Sequence, residues 1–359
     1  MASRPQPESL WRAMAARVPV MDAPVSTGAP LARDIDVEVA IIGAGYSGLS
    51  AAYALQKRGV ECAVLDANPV GWGASGRNGG VVSSKFRLSF PAIAGAHGID
   101  VAKRMHRLAH DGVRAVEAFI DEFKLTRVQF EHTGSLRCAH TERALSSICA
   151  EADWVRTMLG DASMTVQSHA QVQHETGAKG FVGGVLSADA GTILPLEYVR
   201  GIAAGLTTRG VPIYEATPVI DMARALDGRV LFGGRDAFGK EGEPTGFDAL
   251  QRAMVALFPQ LKDVAVEYRW SGYVGMTFNA LPHVGRSDDA TTFCLGYNGT
   301  GVAMASLIGQ HAAALALGDK AELAMLAQDG LRPVPFHALR APGVRLVAAW
   351  YQFLDAVGA

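Results

Sequence analysis

The residues best placed to do chemistry in this chain are three glycines and an acid: Gly43, Gly45 and Gly48 form G-x-G-x-x-G, and Asp66 follows about 20 residues later. That spacing suits a ligand rich in phosphate. Gly43 permits a tight turn, Gly45 lets backbone N–H groups approach a pyrophosphate, and Gly48 lets a helix pack close to the strand before it. The pyrophosphate then rests at the positive end of that helix, and Asp66 can accept hydrogen bonds from a ribose diol. The elements that must position these residues are present in order. Val37 to Ile42 reads as a buried strand, LSAAYALQKR as a helix stopped at Gly59, and Val60 to Leu65 as a second strand with Asp66 at its tip. Such a βαβ unit holds adenosine diphosphate and does not by itself separate NAD from FAD.

Two further glycine-rich stretches bear on that choice. Asn68 to Lys85, NPVGWGASGRNGGVVSSK, offers many unblocked backbone N–H groups, and Trp72 and Arg77 among the glycines point to cofactor contact. Far along the chain, TTFCLGYNGTGVAMASLIGQHAAALALG reads as a strand, a second glycine turn at Gly296, Gly299 and Gly301, and an apolar helix. An NAD enzyme needs one such turn. An extended FAD calls for a second helix N-terminus at its flavin end, which favours FAD.

Composition narrows the class. With 359 residues, 49% of them hydrophobic, the chain can bury a large core, and a net charge of −2 offers no basic field for nucleic acid. No apolar run approaches the roughly 18 residues of a membrane span, so a cytoplasmic location is expected. Cys62, Cys138, Cys149 and Cys294 are scattered without a C-x-x-C pair and read as reduced thiols. His106 and His110 lie one turn apart on a long helical pattern from Ile99 to Leu125. With no third ligand in that segment they read as ordinary helix residues, and no metal site is assigned.

The remaining pattern gives strands at Val128 to Ala139, Phe181 to Ser187, Val211 to Val219 and Val264 to Met276. Helices are expected at Glu142 to Leu159, from Pro195 to near Gly210, and at Ala249 to Phe258, with an exposed loop at Gly234 to Phe247.

The motifs VAIIGAGYSGLSAAYAL, VGWGASGRNGG, LPLEYVRGIA, DGRVLFGG, RWSGYVGMTFNALPHVG, GYNGTGVA and PVPFHALRAPG, with SLWRA near the N-terminus, resemble the FAD-dependent oxidoreductases of the D-amino-acid oxidase and glycine oxidase superfamily. The likeness is greatest to the gamma-glutamylputrescine oxidoreductase branch, for which GASGRNGG is specific. The resemblance implies an α/β fold: a Rossmann-like FAD-binding lobe (36–90, 181–221 and 286–330) interleaved with an α+β substrate lobe on an antiparallel sheet (91–180 and 222–285). A leader (1–35) and a tail (331–359) flank them. It implies that Gly43, Gly45, Ser47 and Gly48 cradle the pyrophosphate, Asp66 the ribose and Val219 the adenine. Gly73, Ala74, Ser75, Arg77, Asn78, Gly79 and Gly80 would lie along the pyrophosphate and flavin, and Gly299, Thr300, Gly301 and Val302 would reach the flavin ring. The implied activity is oxidation of a primary or secondary amine, including a gamma-glutamylated one, to an imine by hydride transfer to FAD, with oxygen or another acceptor taking the electrons. The resemblance names no catalytic side chain.

Three departures from the family pattern stand out. Val219 is followed almost at once by IDMARALDGRVLFGG, so several tens of residues are missing, including the strand that returns to the FAD lobe and part of the substrate sheet. Thr300 and Leu194 stand where histidines are common. Val274 stands where the amino-acid oxidases have an arginine that grips the substrate carboxylate. The first departure opens an alternative, a non-catalytic FAD-binding homologue that has lost parts of both lobes; an NAD-linked dehydrogenase using the first glycine motif alone is a third reading.

Overall fold

The apolar run at the first glycine turn forms the centre of a seven-stranded sheet. The computed structural model describes residues 9–17, 28–219, 229–233, 247–265, 272 and 274–330. Numbered in chain order, the sheet runs β12 (Ala327–Gln328), β10 (His283–Arg286), β11 (Thr291–Leu295), β9 (Arg229–Gly233), β1 (Val39–Ile42), β2 (Cys62–Leu65), β8 (Ile213–Tyr214). Every neighbouring pair is parallel except β10 with β11. Parallel central strands are covered on both faces, which is why Cys62, Ala63 and Val64 are buried in succession along β2.

The covering helices are α2 (Tyr46–Gln56), α9 (Gly301–Ala316), α4 (Ile99–Phe123) and α7 (Pro195–Thr208). A Cβ on Gly309 of α9 would sit 2.2 Å from the Ser47 carbonyl of α2, so these two helices touch backbone to backbone. The long helix α4 buries Ala102, Met105, Ala109, Val113, Val116 and Phe119 at helical spacing, and its Gly112 lies against Met304 of α9. At the N-terminal side, α1 (Leu10–Arg17) packs on α7, and its Trp11 indole donates to the Asn78 carbonyl at 2.8 Å.

A separate three-stranded antiparallel sheet, β4 (Ser135–Ala139), β6 (Gly183–Ser187) and β5 (Met164–Ser168), carries α5 (Glu142–Trp154) and α6 (His169–Thr176). The short pair β3 (Val81–Val82) and β7 (Gly191–Thr192) lies where the chain passes between the two sheets. Two more helices, α3 (Phe90–His97) and α8 (Phe247–Leu257), complete the described elements. The four cysteines are thiols, with Cys62 and Cys294 buried in the main sheet. Among the described residues, no helix is long and apolar enough to cross a membrane.

Several sequence expectations need correction. The place beside β1 is filled by a strand expected in the substrate lobe: β9 pairs with both β1 and β11. The remaining strands have re-paired, because an unfilled slot beside β1 would leave a central ladder without partners. Conversely, β6 was assigned to the FAD lobe and is the middle strand of the smaller sheet. The strand expected over Val211 to Val219 shrinks to β8, broken where Ala216 takes φ 48°. No strand forms at the described positions between Val264 and Met276; the Gly275 carbonyl instead accepts from the Asn298 amide at 2.9 Å, in a loop contact. Residues 234–246 of the expected exposed loop and the C-terminal tail lie outside the described residues, and Phe247 begins α8.

Candidate cofactor site

Each part of the first glycine turn has a geometric cause. Gly43 takes φ 104°, closed by its amide on the Leu65 carbonyl at 2.8 Å. A Cβ on Gly48 would stand 1.9 Å from the Gly43 carbonyl oxygen, so only glycine lets α2 begin this close to β1. Gly45 is the N-cap of α2 and offers no side-chain cap, leaving the helix N-terminus to a ligand or to neighbours. One neighbour is Ser75, whose Oγ accepts from the Tyr46 amide at 3.1 Å.

Ser75 belongs to GASGRNGG, and Asn78 organises that loop. Its Nδ2 donates to the carbonyls of Ala74 and Ser75, both at 3.0 Å, and to Tyr46 Oη at 3.3 Å, while its Oδ1 accepts from the Gly80 amide at 2.8 Å. Tyr46 in turn donates to the Pro195 carbonyl at 3.1 Å, and burial pushes its phenol well above the ordinary range, so it stays neutral. Buried Glu215 anchors the start of the loop by accepting from the Val70 amide at 2.5 Å.

At the far end, Gly296 (φ 74°), Asn298 (φ 51°) and Gly299 (φ 92°) bend the chain into α9, whose start also lacks a side-chain cap. Asn298 holds this turn: its Oδ1 accepts from the Thr277 amide at 3.0 Å and its Nδ2 donates to Thr277 Oγ1 at 2.9 Å and to the Gly296 carbonyl at 2.5 Å. Ser47 Oγ donates to Tyr297 Oη at 2.7 Å, joining the two turns. Both helix N-termini therefore open on one cavity of about 480 Å³.

Of the residues singled out from sequence, Gly43, Gly45, Ser47, Gly48, Asp66, Gly73, Ala74, Ser75, Asn78, Gly79, Val219, Gly299, Gly301 and Val302 line this cavity. Arg77, Gly80 and Thr300 do not. Arg77 is buried beneath Gly272, the Gly80 carbonyl accepts from the Ile193 amide, and the Thr300 hydroxyl turns back onto the Tyr297 carbonyl. Asp66 is fixed at the cavity wall, its two oxygens accepting from the amides of Ala44 and Asn68, each at 2.8 Å. Sequence reasoning missed Asn298 and Tyr297, although a polar residue between Gly296 and Gly299 is the signal for a left-handed turn position.

Comparison with known proteins agrees with this geometry. Residues 38–226 and 220–315 match the FAD dependent oxidoreductase family, DAO. The chain belongs to that family. FAD is its cofactor, and the two uncapped helix ends, the φ-positive glycines and a turn that a Cβ would fill are features that fit it. The two matched pieces meet at 220–226, at the place where the family's extra segment is missing. Gamma-glutamylputrescine oxidoreductase of Escherichia coli is 24% identical over 408 residues, covering 91% of this chain and 95% of that protein. A probable oxidoreductase, OrdL, of Haemophilus influenzae is 24% identical over 412 residues, covering 91% and 94%. Among solved structures, glycine oxidase from Geobacillus kaustophilus superposes with a TM-score of 0.70 at 16% identity, over 82% of this chain and 99% of that one. This DAO-family chain is an FAD-dependent oxidoreductase with a shortened middle.

Proposed function

We propose that this chain oxidises a primary or secondary amine to an imine, favouring amines that are uncharged beyond the nitrogen or carry their carboxylate at a distance, as a gamma-glutamylated amine does. The observation that carries this reading is the charge of the cavity wall. Among the described lining residues Asp66 is the one ionisable acid or base of the Asp, Glu, Lys, Arg and His types, and no cation is present. Val274, half-exposed to the cavity, presents an aliphatic side chain. An α-carboxylate there would lack the bidentate, charge-assisted partner it calls for, and an unpaired buried charge costs several kcal/mol. The relative from Escherichia coli, a gamma-glutamylputrescine oxidoreductase, supports the same class.

The chemistry FAD supplies when bound is acceptance of a hydride from the carbon beside the amine nitrogen, the nitrogen losing a proton as the C=N bond forms. The protein's part is binding and orientation. The N-terminus of α2 meets the pyrophosphate with backbone donors and its positive dipole end, which holds an anion with no lysine or arginine among the described lining residues. Asp66, already oriented by two amides, keeps lone pairs for a ribose diol. Gly299, Gly301 and Val302 at the start of α9 bring backbone groups to the flavin end. A neutral amine needs no strong base to give up hydride, in keeping with the described lining residues, among which Asp66 has no Asp, Glu, Lys, Arg or His beside it.

Anaerobic reduction of the purified yellow protein tests the reading. A matched panel of amines should bleach the flavin faster than glycine, sarcosine or D-amino acids, and Val274→Arg should narrow that gap. Faster bleaching by α-amino acids would overturn the substrate class. A protein with full flavin occupancy that no amine reduces would favour the non-catalytic alternative.

A further inference from the structure

The two histidines of α4, which read from sequence as ordinary helix residues, meet a third polar group in the structure. Asp161, in the turn after α5 and some fifty residues along the chain, supplies the third group that the local sequence lacks. His106 Nε2 lies 2.8 Å from Asp161 Oδ2, His110 Nε2 lies 3.3 Å from the same oxygen, and the two Nε2 atoms are 3.0 Å apart. All three side chains are largely withdrawn from solvent, with relative exposures of 15%, 22% and 13% for His106, His110 and Asp161. We propose that His106, His110 and Asp161 form a binding site for a divalent transition-metal ion of the zinc type, distinct from the FAD cavity.

The donor geometry is the first argument. Zinc bonds to nitrogen and oxygen of about 2.0–2.1 Å place the donors of a tetrahedron about 3.3–3.4 Å apart. Of the three edges, 3.3 Å already matches that figure, 3.0 Å needs about 0.3–0.4 Å and 2.8 Å about half an ångström of expansion. Two imidazole nitrogens with one carboxylate is a donor set that zinc accepts, with a fourth position left to water.

The second argument lies in the tautomer. His110 Nδ1 faces Asp189 Oδ2 at 3.3 Å, and Asp189 in turn accepts from Ser84 Oγ. An Nδ1–H donated to that carboxylate leaves the Nε2 lone pair directed at the cluster, the arrangement by which outer carboxylates orient metal-binding histidines. The edge of Phe90 holds the His106 ring, with centroids 5.2 Å apart.

Two carboxylates withdrawn together need positive charge. A protonated histidine pair would also supply it, and the experiment separates the two. FAD-loaded protein is stripped with a chelator, then titrated with zinc chloride against a competing indicator, and metal content is measured after desalting. The expected result is about one zinc per chain and a thermal midpoint raised by zinc. His110→Ala should abolish both effects, while His132→Ala, outside the cluster, should leave them unchanged. Asp189→Asn, which keeps all three ligands, should weaken zinc binding by about 10–100-fold. The flavin spectrum of each variant reports that the chain is folded. Wild-type protein that retains no more zinc than His110→Ala, or an Asp161→Asn variant that binds zinc as tightly as wild type, would overturn the proposal.

Discussion

At the scale of single residues, the glycine turn is a packing constraint as well as a binding surface. Gly48→Ala pushes a methyl group into the Gly43 carbonyl, where backbone must move, and overpacking of this kind costs ~1–3 kcal/mol. A thermal melt should show the loss together with reduced flavin occupancy. A Cβ on Gly45 meets only Ser75 Oγ, at 2.9 Å, so Gly45→Val should spare the fold and yield a colourless protein. Full flavin content in that variant would remove Gly45 from the site. Asp66→Ala deletes the acceptor of two amides and the proposed partner of the ribose. It should weaken FAD binding by ~1.5–3 kcal/mol in a titration of stripped protein, the range for hydrogen bonds to a charged group. The glycines and Asp66 were legible because their spacing encodes local geometry within one βαβ unit. Asn298 and Asp161 were not, since their roles depend on partners such as Thr277 and His106 that are distant in sequence and meet only after folding.

At the scale of elements, periodicity carried the helices. α4 and α9 were visible because a buried stripe or a wholly apolar helix leaves a pattern in the sequence; β8 lies within the strand expected over Val211 to Val219, but the place of β9 between β1 and β11 depends on strands distant in sequence and could not be read from its own residues. The end of β8 shows how an element and a loop are tied together. Glu215, one residue past the strand and 5% exposed, accepts from the Val70 amide, and burial raises its pKa above the ordinary 4.5. An acid whose pKa is higher when folded takes up a proton on folding, so its contribution is present below the unfolded pKa and is lost as pH rises through the folded one. Wild-type stability should therefore carry a declining component just above pH 4.5 that Glu215→Gln lacks, since glutamine keeps the acceptor and drops the charge. Denaturant melts across that window decide it; parallel pH profiles for the two proteins would mean the carboxyl is not the titrating group.

At the scale of the whole molecule, the main sheet is assembled from strands drawn from residue 39 to residue 328, and the smaller sheet is inserted within that span. The main sheet is not a continuous piece of chain, whereas the smaller one is a single stretch, residues 135–187, set into it. The two crossings between them are also bound to each other: β3 pairs with β7, the Ile193 amide donates to Gly80, and Glu131 bridges Thr192. Pulling the lobes apart thus breaks the same segments that carry GASGRNGG along the cavity. Chains beyond about 150 residues commonly unfold in several steps, yet this connectivity calls for one. Heating should produce a single calorimetric transition in which flavin release and loss of helical signal coincide. Because the proposed FAD site spans both glycine turns, an excess of 1,000 times its dissociation constant should move that whole transition by about 4 kcal/mol of stabilisation. Two resolved transitions, or flavin released well before the helices melt, would show that the shortened middle has uncoupled the lobes. In that case the re-paired β9 fills its place in the sheet without transmitting stability from one lobe to the other.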